Sequence, residues 1–204
     1  MRRQSGFTII EIIIVVIILG LLAATALPRF LDVTEQAEQA SIDGIAGGFA
    51  SAVGLVRGQW EVEGRPSANG STGAGNDTDT TSVSIDNVRI LVDGTSTAAG
   101  ISRGYPTGAA DDDNGSEITD ITNARCQEIL NVILQNGPAS VVATSATAPT
   151  LQAIRDSAAT LFVQEGVATT TPSSANVCFY YQVAGINARP APGDEANLNG
   201  FKYN

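Results

Sequence analysis

Residues 1–28 read MRRQSGFTIIEIIIVVIILGLLAATALP, and the rest of the chain is arranged behind this stretch. A basic head, Arg2 and Arg3, is followed by Gly6-Phe7, a single carboxylate at Glu11 and sixteen uncharged residues, 12–27. As a helix, residues 7–27 measure about 30 Å at ~1.5 Å per residue, roughly the thickness of a bilayer core. The pattern fits a removable secretory signal poorly: the apolar run exceeds the ~7–15 residues of such signals, lacks a small-x-small exit and leads directly into more helical pattern. A plain membrane anchor explains everything except the Gly6-Phe7 junction and Glu11. A carboxylate at bilayer depth is disfavoured by about 2.5 kcal/mol or more, so by default it marks a function or a specific partner.

GFTIIE, an uncharged helix and then Pro28 together resemble the class III signal of type IV prepilins. Basic head, glycine, phenylalanine, threonine, glutamate and apolar run all fall in register. The resemblance implies cleavage after Gly6 by a prepilin peptidase in the membrane and N-methylation of the new first residue, Phe7. It also implies the type IV pilin fold, an α+β αβ-roll in which the second half of a long N-terminal helix packs on an antiparallel sheet. Gly104-Tyr105-Pro106 and the later Cys178-Phe179-Tyr180-Tyr181 resemble the MSHA-type branch of that family, on shorter motifs.

Cleavage after Gly6 would create a positive amine on Phe7. A buried amine and a buried carboxylate are each costly unless they meet a partner. Four residues separate Phe7 from Glu11, about one helical turn, so the two can pair within one subunit or between staggered neighbours. The family implies the second arrangement, an assembly charge pair of Phe7 and Glu11. The plain alternative is a protonated or snorkelling glutamate that merely tolerates burial.

Composition bounds the remainder. Of 204 residues, 11 are basic and 21 acidic; losing Arg2 and Arg3 leaves a formal −12 before the new amine is counted. Such a surface repels nucleic acid and anionic headgroups, and the basic residues do not cluster, so no direct nucleic-acid partner is expected. Histidine is absent, removing the commonest general base and metal ligand. No glycine-rich phosphate loop follows a strand, and neither a GxSxG elbow nor a metal spacing occurs, so the expectation is a non-enzyme without a cofactor or resident metal. Cys126 and Cys178 are the whole thiol inventory. An even pair in an exported chain points to one disulfide, with two separate buried thiols as the alternative.

Along the chain, Gly20 and Pro28 lower helix stability, because glycine is flexible and Pro28 cannot donate to the carbonyl of Ala24; a bend or break is expected between them. Beyond it Phe30, Val33, Ala37, Ala40, Ile45, Phe49, Val53 and Val56 recur at helical spacing, with Asp32, Glu35, Glu38 and Asp43 between them. This describes an amphipathic helix lying on something apolar. Gly44, Gly47, Gly48 and Gly54 on it need packing to hold them, either a close helix approach in a fibre core or contacts inside the domain. Residues 64–82 form a polar exposed loop carrying sequons at Asn69 and Asn76; these, with the one at Asn114, match chance occurrence in such composition.

VSIDNVRILV, residues 83–92, predicts a hairpin turning at Asp86-Asn87. Asp111, Asp112 and Asp113 resemble part of a calcium loop, but the glycine and closing glutamate of an EF-hand are out of place, which favours a solvated acidic turn before a helix. Ser116 or Thr119 is the expected cap of a helix through Ile121, Cys126, Ile129 and Ile133, ending at Asn136-Gly137-Pro138. Leu151, Ile154, Ala158, Leu161 and Phe162 fit a short helix, with a strand over 159–163 as the alternative. NVCFYYQVA, residues 176–184, is the clearest strand, and 201–203 a short edge strand.

The expected organisation is a leader at 1–6, a membrane and filament-core helix at 7–28, the amphipathic half of that helix at 29–60, and a head at 61–204. The family resemblance implies a filament of identical subunits, held in the inner membrane as a precursor, processed by prepilin peptidase and carried by a pilus assembly machinery to the cell surface. Adhesion, surface attachment or motility would follow. The alternative is a minor pilin or pseudopilin of a type II secretion or DNA-uptake system.

Overall fold

The computed structural model describes residues 8–67, 81–93, 102–109, 121–145, 147–166, 177–193 and 198–203. Gly6, Phe7, the sequon asparagines, the acidic turn at Asp111, Asp112 and Asp113, and the expected caps Ser116 and Thr119 lie outside the described residues. Residue contacts divide the chain into two units between Ser41 and Ile42.

Helix α1 runs from Ile9 to Val62 and has Pro28 inside it. The expected break between Gly20 and Pro28 does not interrupt it. Proline removes one backbone donor, a local loss that the hydrogen bonds on either side bridge. The hydroxyl of Thr25 donates to the carbonyls of Leu21 and Leu22, adding side-chain bonds in this stretch. In the first unit α1 has no cover: Phe30 and Val33, expected on the buried stripe, are 71% and 61% exposed.

Burial on α1 begins at Ile42 and returns at Phe49, Val56 and Trp60, with Ile45, Ala52 and Val53 partly covered. The seven-residue steps from Ile42 to Phe49 to Val56 keep one narrow seam turned to the head. This seam lies on a core with Val83, Ile90, Leu91, Ile129, Leu130, Leu161, Val163 and Tyr180. Phe49 is its centre, with ring centroids 5.3–5.4 Å from Tyr180, Phe201 and Tyr203.

Among the described residues, two small sheets build the head. β1 (Ser82–Ile85) and β2 (Val88–Leu91) form the expected antiparallel hairpin, and β3 (Gly108–Ala109) pairs with β2. The turn residues Asp86 and Asn87 have φ of 48° and 68°, the left-handed pair that a two-residue hairpin needs. α2 (Asn123–Ile133) is capped not by Ser116 or Thr119 but by Thr122, whose hydroxyl accepts from the Arg125 amide at 3.3 Å. The cap must sit beside the first turn, and only Thr122 does.

The second sheet has the order β4-β5-β6-β7, with β4 (Ser140–Val142), β5 (Leu161–Glu165), β6 (Cys178–Gln182) and β7 (Gly200–Tyr203). β6 is antiparallel to both its neighbours, as expected, but β4 runs parallel to β5. Helix α3 (Leu151–Asp156) makes the crossover that a parallel pair requires. Of the two readings of residues 151–163, the helix holds only over Leu151–Asp156, and the strand takes Leu161 and Phe162, which the helical pattern had included. β6 is buried on both faces: Cys178 and Tyr180 join the α1 core, while Phe179 and Tyr181 meet Ile154, Phe162, Val183 and Ile186 in a second cluster.

Cys126 and Cys178 form a disulfide with Cα atoms 5.4 Å apart, tying α2 to the central strand. Closing a loop of 52 residues stabilises by about 4 kcal/mol on the chain-entropy account. Two residues along β6, the buried Tyr180 hydroxyl donates to the Cys126 carbonyl at 2.8 Å.

Candidate functional site

The feature of the first unit that demands explanation is uncovered apolar surface. An 18-residue window of α1 has a mean hydropathy of 2.9, and none of it is buried. Ile9 is 81% exposed, and Ile10 through Leu31 follow it with every large apolar side chain open. Soluble monomers rarely present contiguous apolar patches beyond a few hundred Å², so lipid or other protein must cover this one.

Glu11 lies in the first turn of α1. The hydroxyl of Thr8 donates to the Glu11 carboxylate at 3.5 Å and accepts from the Glu11 amide at 3.4 Å. Thr8 and Glu11 thus stand in the T-x-x-E relation of a capping box, which the spacing shows and which sequence reasoning passed over. The carboxylate thus lies at the positive end of the helix dipole. Of the expected site residues, the structure places Glu11, Gly20 and Pro28 on one continuous helix, while Gly6 and Phe7 lie outside the described residues. Cys126 and Cys178 belong to the second unit.

A second open face lies on the part of α1 within the head unit. Gly44, Gly47, Gly54 and Gly58 would each accept a methyl group without meeting any atom within 4 Å. Packing inside the head therefore does not account for these four glycines; Gly48 alone approaches a neighbour, the Leu134 side chain at 4.0 Å.

Residues 1–27 match the prokaryotic N-terminal methylation motif. The type IV narrow pilus major component PilA5 of Thermus thermophilus is 48% identical over 54 residues, 26% of this chain and 47% of that protein. The chain thus spans about half the length of that relative. Fimbrial protein EcpC of Eikenella corrodens is 30% identical over 104 residues, 50% of this chain and 68% of that protein. The chain belongs to the type IV pilin family. Type II secretion system core protein G of Pseudomonas aeruginosa is also similar, 41% identical over 56 residues, 28% of this chain and 39% of that protein. No solved structure matches the pilin.

The motifs behind the MSHA-type resemblance have packing roles in this pilin. Gly104, at φ +88°, lies so close to α1 that a Cβ would sit 2.5 Å from Arg57 Nη1 and 2.6 Å from Trp60 Cε3. The Arg57 guanidinium stacks 4.3 Å from the Trp60 ring and 5.0 Å from the Tyr105 ring, and it donates to the Arg103 carbonyl. Pro106 presents its carbonyl to the Tyr203 hydroxyl at 2.9 Å. The Arg65 hydrogen bond, with Arg57 adding to it, holds the Glu61 carboxyl below its usual range. Burial pushes the phenols of Tyr180 and Tyr203 well up. None of these groups converges on a cleft suited to chemistry, and no group of His, Cys, Asp or Glu among the described residues could hold a metal.

Proposed function

We propose that the chain is a structural subunit of a type IV pilus filament. The precursor sits in the inner membrane through residues 7–28; prepilin peptidase cuts between Gly6 and Phe7, and Phe7 is N-methylated. The observation that carries this reading is the apolar window of α1, of which no part is covered within its own chain. Lipid covers that surface in the precursor, and other copies cover it in the fibre. The open glycine face supports close helix approach in the same core. Residues 29–60 continue the helix and residues 61–204 form the head on the fibre surface, where adhesion, surface attachment or motility would be served.

Inside a packed core, the Glu11 carboxylate pairs with the Phe7 amine of a neighbouring copy. Sheared surface fibres should therefore contain this chain with methylated Phe7 as its first residue, seen by mass spectrometry. Glu11→Ala should leave cleavage intact and abolish fibres. Normal fibres from that variant would defeat the charge-pair role, and absence of the chain from wild-type fibres would defeat the subunit reading. The likeness to the type II secretion core protein supports a second reading, a pseudopilin of a secretion system. A dominant band in sheared fibres selects the first.

A further inference from the structure

The head unit carries a half-open recess of about 160 Å³ that its own side chains leave unfilled. Ala52 and Leu55 of α1, Ile85 and Val88 of the hairpin and Val132 of α2 give it apolar walls, and Asp86 at the hairpin turn is its one charged lining residue. Leu55 and Val88 leave apolar surface in water. An apolar cavity of roughly 150 Å³ has room for a benzene ring, so this recess suits one aromatic side chain. Leu55 stands in sequence between Gly54 and Gly58, whose Cβ positions are open. A second copy that closes on these glycines therefore reaches the recess as well.

Two aromatic side chains are exposed among the described residues, Phe30 and Tyr105. Tyr105 is engaged by the Arg57 guanidinium, whereas Phe30 meets no other ring among the described residues. Directly before Phe30 stands Arg29, the only basic residue from position 8 to position 56. Neither Arg29 nor Asp86 forms an ion pair among the described residues. We propose that Phe30 of one copy seats in the recess of a second copy, with Arg29 beside it reaching Asp86. The inference rests on the filament reading above and adds a contact between the exposed helix of one subunit and the head of another. The ring supplies the anchor, since a buried aromatic in a fitted pit carries most of the energy of a contact. The charge pair stays near water and contributes little binding, but it selects the partner segment. The other ionisable residues from 8 to 56 are acids, Glu11, Asp32, Glu35, Glu38 and Asp43, and Asp86 repels each of them.

The test uses the full chain in cells that assemble the fibre. Chains carrying Leu31→Cys and chains carrying Gln135→Cys, expressed together, should be joined by a short bis-maleimide in sheared fibres, and not in membranes of cells lacking the assembly machinery. Both substitutions spare the ring and the apolar walls. Failure to join them in fibres would overturn the proposal. Phe30→Ala should lose about tenfold or more of its fibre yield with insertion and cleavage unchanged. Arg29→Glu should also lower the yield, and Asp86→Asn in the same chain should recover part of it, because asparagine keeps the left-handed turn and removes the repulsion. No recovery would refute the charge pair. Normal fibres from Phe30→Ala would refute the anchor, and reduced insertion or cleavage would place the ring at the lipid border instead and refute it equally. Wild-type fibres lacking this chain would remove the filament reading itself, which separates the two failures.

Discussion

Replacing Gly47 and Gly54 with alanine should push folding and assembly in opposite directions. Both lie in the exposed interior of α1, and a methyl at either meets nothing within 4 Å, so the folded head imposes no steric cost. Glycine in such a position is about 1 kcal/mol less favourable than alanine, giving the double variant roughly 2 kcal/mol of added stability. For a unit of the size that begins at Ile42, that corresponds to a rise in Tm of about 4–8 °C. Full-length chain in detergent, followed by circular dichroism and by the fluorescence of Trp60, reads this directly. In cells the same two methyl groups hold helices apart where small residues allow close approach, so sheared-fibre yield should fall. A lowered Tm would show that the glycines serve packing within the head. A raised Tm with unchanged fibres would show that this face meets no other helix.

Gly104→Ala should lower stability by about 1–3 kcal/mol, because it combines a left-handed backbone with a methyl driven into Arg57 and Trp60. Displaced Trp60 emission and a lower Tm are the readouts, and an unchanged Tm would contradict the clamp. The buried phenols set the alkaline limit: with folded pKa values above the usual 10.0, Tyr180 and Tyr203 contribute stability that is intact below pH 10 and lost as the pH rises beyond it. Titration followed by tyrosinate absorbance should show these two ionising only together with unfolding, and early, reversible ionisation of all four tyrosines would refute their burial.

Much of this architecture was legible because it is local. Asp86-Asn87 between β-branched runs gave the hairpin, the aromatic alternation of residues 178–181 gave the central strand, and helical periodicity gave α1. β4 escaped because three residues in an Ala/Ser/Thr stretch have too little pattern to register. The cap of α2 was placed too early because Ser116, Thr119 and Thr122 look alike until the first turn is located. The apolar stripe from Phe30 to Val56 was read as one surface, yet the head covers it only from Ile42 onward. Sequence periodicity reports that a face will be covered and says nothing of what covers it. Glu11 stood out as a lone charge before an apolar run, whereas the capping relation of Thr8 to it shows only once the start of the helix is located.

The seam of Ile42, Phe49, Val56 and Trp60 also bears on mechanics. A pull transmitted along α1 reaches the head as shear, with anchor side chains about 10 Å apart along the axis at seven-residue steps. In that loading geometry the anchors must yield together rather than peel one by one. Beyond Val56, the Arg57 and Trp60 clamp on Gly104 and Tyr105 ties the far end of the helix to a second stretch of chain. Since Val83, Ile90, Leu91, Cys126 and Cys178 share the core beneath this seam, such a load passes into the hairpin and the disulfide together rather than into any one strand.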